Sequence, residues 1–125
     1  MGMPWHLVSE EVKAKKYKIV EETPFPQGYE WLREGYERYW ILFHNLSLQL
    51  IGYLALGLGK PRDFFDPWFR QDALSTLRSI YYLPRSHEQA QKCDLLDSEE
   101  VKLVTPAHSD TVFMTLLTTF GFPGL

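Results

Sequence analysis

Between Gln27 and Leu58 the apolar residues Leu32, Tyr36, Tyr39, Trp40, Phe43, Leu46, Leu50, Ile51 and Leu54 recur at spacings of three and four. That is the period of a helix that presents a continuous apolar side. Gly57 and Gly59, followed by Pro61, supply its stop. A helix of about 30 residues is far longer than the average of ~11 to 12, so the rest of a chain this size has to be arranged around it. The spacing predicts a helix over 27–58 that backs a sheet. Tyr36, Tyr39 and Trp40 read as ordinary core at helical spacing, and His44 reads as a packing or surface residue. His44, Asn45, Ser47, Gln49 and two glycines interrupt the apolar run Trp40 to Leu58, which marks it as a core helix rather than a bilayer span.

The segments on either side are of a different kind. Residues 1–26 show few periodic features and end in Thr23-Pro24-Phe25-Pro26, where two prolines impose extended backbone on their predecessors. Arg62 to Phe69 is a short helical turn or loop whose aromatics should fold over apolar surface, with Pro67 limiting any helix before it. Leu74 to Pro84 is rich in β-branched and aromatic residues and ends on a proline, which predicts a strand. Residues 85–100 are polar and acidic and read as a loop, and 101–117 as one or two further strands. Gly121 to Leu125 is turn chemistry.

Charge and cysteine usage narrow the partners. Thirteen basic against sixteen acidic residues leave a net charge of -3, and the lysines at 13, 15, 16 and 18 are flanked by Glu10, Glu11, Glu21 and Glu22. No basic footprint for nucleic acid emerges, and no membrane partner is expected. A single cysteine, Cys93, rules out an internal disulfide and sits in the polar stretch without a neighbouring base. With no secretory leader pattern, the expected location is the cytoplasm.

The chemistry is concentrated in Thr105-Pro106-Ala107-His108-Ser109-Asp110, which runs on to Thr115-Leu116-Leu117. On a strand, residues two apart point from one face, so His108 and Asp110 suit two ligands of one metal ion. Two protein ligands on one edge with a third from elsewhere describe the 2-His-1-carboxylate arrangement that leaves positions open on Fe(II). On residues alone, the alternative is that His108 and Asp110 bond each other or a neighbouring loop. Arg78, in its strand context, reads as an ion-pairing residue.

These segments together resemble the isopenicillin N synthase-like branch of the Fe(II) and 2-oxoglutarate-dependent dioxygenases. The family's His-Thr/Ser-Asp-x-x-x-x-Thr-Leu-Leu is matched by His108, Ser109, Asp110, Thr115, Leu116 and Leu117, and its Leu-Arg-x-x-x-Tyr-x-Pro by Leu77, Arg78, Tyr82 and Pro84. Glu22 to Pro26 looks like its approach to the long helix, so the likeness runs from about Tyr17 to Leu125. The resemblance implies an α+β fold: a partial double-stranded β-helix, or jelly roll, backed by the long N-terminal helix, with the C-terminal half of the barrel missing. It implies one incomplete domain over 1–125, with a lead-in over 1–26, the helix over 27–58 and strands over 74–120. His108 and Asp110 would be metal ligands for Fe(II), and Tyr82 would face 2-oxoglutarate or the carboxylate of a small-molecule substrate, with O₂ as oxidant. The isopenicillin N synthase subset oxidises without 2-oxoglutarate.

The resemblance stops at Asp110 for the metal. The family's second histidine and its Arg-x-Ser lie farther along than this sequence runs, no histidine follows Asp110, and His6, His44 and His87 do not stand in matching positions. The expectation is therefore a fragment, inactive as an oxidoreductase on its own. The alternative is a non-catalytic remnant that pairs with a partner or with itself through an open strand edge.

Overall fold

The structure is a computed structural model that describes residues 1–82, 108–109 and 112–121. Contacts divide the chain into two units, Met1–Arg78 with Leu116–Leu125, and Ser79–Thr115.

The first unit is built on α2, Glu30–Gly57, preceded by a 3-10 turn at Trp5–Leu7 and α1 at Glu10–Lys15, and followed by α3 at Asp66–Phe69. Each helix end has a local cause. Ser9 caps α1, its Oγ accepting from the Val12 N–H at 3.3 Å. Glu10 and Glu11 occupy its first turn and Lys13 and Lys15 its last, the order that the helix dipole favours. The acid–lysine pattern seen in the sequence is thus used locally: Lys13 bonds Glu10 at 2.6 Å and Lys15 bonds Glu11 at 2.7 Å.

α2 ends in a Schellman motif. The Lys60 N–H donates to the Ala55 carbonyl at 2.9 Å and the Gly59 N–H to the Leu56 carbonyl at 3.0 Å, with Gly59 left-handed at φ 68°. A Cβ at Gly59 would meet nothing, so substitution there changes backbone energy alone. We expect Gly59→Ala to cost about 1 kcal/mol in urea unfolding. Gly35→Ala, in the helix interior with equally open space, should stabilise by about 0.5–1 kcal/mol.

One side of α2 is covered by its own chain. Trp40, Ile51, Gly52 and Ala55 are buried there, and Pro4 and Val8 of the N-terminal segment and Ala73 are buried as well. The returning segment 72–77 is tied at three points. The Ser9 N–H donates to Asp72 Oδ1 at 2.8 Å, the Trp40 indole N–H donates to the Ser75 carbonyl at 3.1 Å, and Met1 and Leu77 exchange N–H to O bonds of 2.8 and 2.7 Å. The lead-in is pinned further along, where Arg33 pairs with Glu22 at 2.9 Å and lies over the Phe25 ring.

The Ser9 amide, helped by the Ser9 hydroxyl, holds the Asp72 carboxyl below the usual range. A folded-state pKa below the unfolded value of about 3.9 means this contribution is complete above that value and is lost as pH falls through the lower one. The stability gap between the wild-type chain and Asp72→Asn, read from urea melts, should therefore be present at neutral pH and close on acidification. A gap that persists in acid would remove the charge from the explanation.

The expected jelly roll is corrected by this architecture. Among the described residues there is no strand and no sheet. Residues 74–82, expected as a strand, carry no regular structure, and neither do 112–119. The physical reason is that a strand is defined by its neighbour. The reciprocal bonds between Met1 and Leu77 form the closed pair of an antiparallel ladder, but it is one residue long, and Ser75 is held by an indole instead of a second backbone. The strand edge expected as a pairing surface is consequently not present among the described residues. Of the aromatics in 62–69, Phe64, Phe65, Trp68 and Phe69 pack on one another at 5.0–6.4 Å between ring centres, and Phe64 and Trp68 are exposed.

Candidate functional site

The residues expected to carry chemistry fall in the second unit. Tyr82 and His108 are both exposed and outside regular structure. Asp110 lies outside the described residues, as do Pro84, the 85–100 loop with His87 and Cys93, Thr105 to Ala107, and the closing turn from 122. No group of three His, Cys, Asp or Glu side chains able to hold a metal ion occurs among the described residues. One imidazole does not hold Fe(II) by itself, so no chemical step is derived through a metal.

The structure assembles a different cleft in the first unit. It is an open depression of about 440 Å³ lined by Asn45, Leu48, Gln49 and Gly52 of α2 and by Arg62, Asp63, Asp66 and Arg70. The α2 residues meet there because positions three and four apart share a helix face. Gly52 is the floor: a Cβ on it would stand 3.1 Å from Arg62 Cγ and 3.3 Å from the Arg62 carbonyl oxygen, so any larger residue would push Arg62 back by a few tenths of an ångström. The Arg62 guanidinium sits over the Tyr53 ring, 5.1 Å from its centre. Arg70 Nε donates to Asp66 Oδ2 at 2.6 Å, one turn along.

His44 stands next to this group in sequence. Its ring stacks on Trp40 at 4.6 Å, and its Nδ1 is buried without a hydrogen-bond partner. Burial first, and the positive charge of Arg70 second, push its pKa below the usual value. The ring is therefore neutral at pH 7, in keeping with a packing role.

With two guanidinium and two carboxylate groups the cleft is balanced in charge, and it suits polar contact more than catalysis. No nucleophile–base pair lines it. The sequence signal for it was faint: Asn45 and Gln49 are polar residues at helical spacing inside an apolar run, and only the chain reversal at Gly57 to Pro61 brings Arg62 to them.

Comparison with protein-family models, curated proteins and solved structures finds no match for the chain.

Proposed function

We propose that the chain carries two metal ligands, His108 and Asp110, of a non-haem Fe(II), 2-oxoglutarate-dependent dioxygenase type of oxidoreductase acting on a small organic molecule, and that it is inactive on its own. One observation carries the reading: His108-Ser109-Asp110 and Thr115-Leu116-Leu117 stand at fixed spacing behind Leu77, Arg78, Tyr82 and Pro84. The joint pattern is far more specific than a lone His-x-Asp. Exposure of His108 and Tyr82 is compatible with ligand access. The helical architecture of the first unit adds no support.

In this reading iron would supply the O₂-dependent oxidation, and the chain's residues would bind and orient. His108 as neutral imidazole and Asp110 as carboxylate are both suited to Fe(II). The Tyr82 hydroxyl would donate a hydrogen bond to the carboxylate of cosubstrate or substrate. Two ligands bind a metal weakly. The purified chain should take up Fe(II), or Co(II) as a spectroscopic substitute, under anaerobic titration, with affinity falling about tenfold or more in either His108→Ala or Asp110→Ala. It should form no succinate from 2-oxoglutarate. Metal uptake that is unchanged in both variants would sink the ligand assignment, and succinate formation coupled to O₂ uptake would show that two ligands from this chain suffice.

A further inference from the structure

α2 is apolar on two opposite sides; among the described residues one is buried and the other is exposed, with Phe120 against Tyr39 and Arg62 over Tyr53 at its two ends. Opposite the buried Trp40, Ile51 and Ala55 runs a second stripe, Tyr39, Leu42, Leu46, Leu50 and Tyr53, all exposed, with Leu42 at 61%, Leu46 at 43% and Tyr53 at 58%. From Tyr39 to Gly59 the chain carries no Asp, Glu, Lys or Arg. A helix apolar all round is normally covered by something.

The stripe itself indicates what covers it. Its spacings are three, four, four and three, and its residues read Tyr, Leu, Leu, Leu, Tyr, the same in both directions. Turned antiparallel about Leu46, it sets Tyr39 against Tyr53, Leu42 against Leu50 and Leu46 against itself, which is the self-complementarity of a two-fold interface. We infer that α2 is the interface of an antiparallel homodimer of this chain.

The exposed area is compatible with that occupant. The stripe with Leu54 exposes roughly 500–600 Å², above the ~400 Å² per partner of lattice contacts and below the ~800 Å² of a standard interface. α2 is also long and apolar enough to cross a membrane by length and composition. Against lipid stand its covered side, tied by the Trp40 bond to Ser75, and the polar His44, Asn45, Ser47 and Gln49 in mid-run.

Sedimentation velocity of the purified chain across the micromolar range should show a monomer–dimer equilibrium. Leu46→Glu should weaken it about a hundredfold with helical circular dichroism unchanged. In a Cys93→Ser background, Leu46→Cys should oxidise to a linked dimer, and Tyr39→Cys should link to Tyr53→Cys when the two are mixed but not to itself. A monomer at every concentration, a dimer indifferent to Leu46→Glu, self-linking of Tyr39→Cys, or flotation of the wild-type chain with phosphatidylcholine vesicles would each overturn the proposal.

Discussion

Trp40→Ala is expected to remove about 3–5 kcal/mol of stability, the range for truncating a buried aromatic side chain. Trp40 is 3% exposed in the middle of the covered side of α2. Its loss leaves a cavity under the returning segment, frees the Ser75 carbonyl of the indole N–H at 3.1 Å, and strips the stacked partner from His44. Trp40→Phe divides these effects. It keeps much of the ring's packing and loses the hydrogen bond, so it should cost less, with about 0.5–1.5 kcal/mol of the loss belonging to the bond. Urea unfolding followed by far-ultraviolet circular dichroism reads both. If Trp40→Ala unfolded within about 1 kcal/mol of wild type, segment 72–77 could not be resting on this side chain.

The second large effect separates two neighbours in the chain. Ile51 is 6% exposed and Leu50 is 38% exposed, because successive helix residues stand about 100° apart around the axis. Ile51→Ala should cost about 2–5 kcal/mol, a transfer loss plus a cavity that a packed side cannot close. Leu50→Ala, measured at a concentration low enough to hold monomers, should stay within about 1 kcal/mol. The same Leu50→Ala should weaken self-association. One substitution would then report folding and the other assembly. Equal costs at the two positions would mean that the covered side of α2 has been misassigned.

Much of the first unit was legible from local sequence. Periodicity marked the helix over 27–58, and α2 occupies Glu30–Gly57, ending at the glycines that the stop signal named. α1 was missed because Glu10–Lys15 is too short to show a period. Its signal was the Ser9 cap with acidic residues before basic ones. The strands were misread for a physical reason: Leu74 to Tyr82 has residues that favour extended backbone, but extension becomes a strand only when a second segment pairs with it. The site was legible only as a motif. His108 and Tyr82 are exposed, Asp110 lies outside the described residues, and the cleft around Gly52 depends on Arg62, Asp66 and Arg70 being folded back onto α2.

What the chain's sequence determined by itself is the existence, length and end of α2, because each backbone bond of a helix is closed within the segment and each cap lies within a few residues of it. The sequence also determined that the helix is apolar on more than one side, since Tyr39, Trp40, Leu50 and Ile51 all belong to its pattern. Which side is core was decided only in the tertiary structure. Trp40 is tied to the Ser75 carbonyl, which lies far along the chain, and periodicity contains no information about where that segment returns. The same holds for the stripe left exposed: Leu46 and Ile51 are equivalent in the one-dimensional pattern, yet Ile51 is buried and Leu46 is exposed, a difference that only tertiary packing sets.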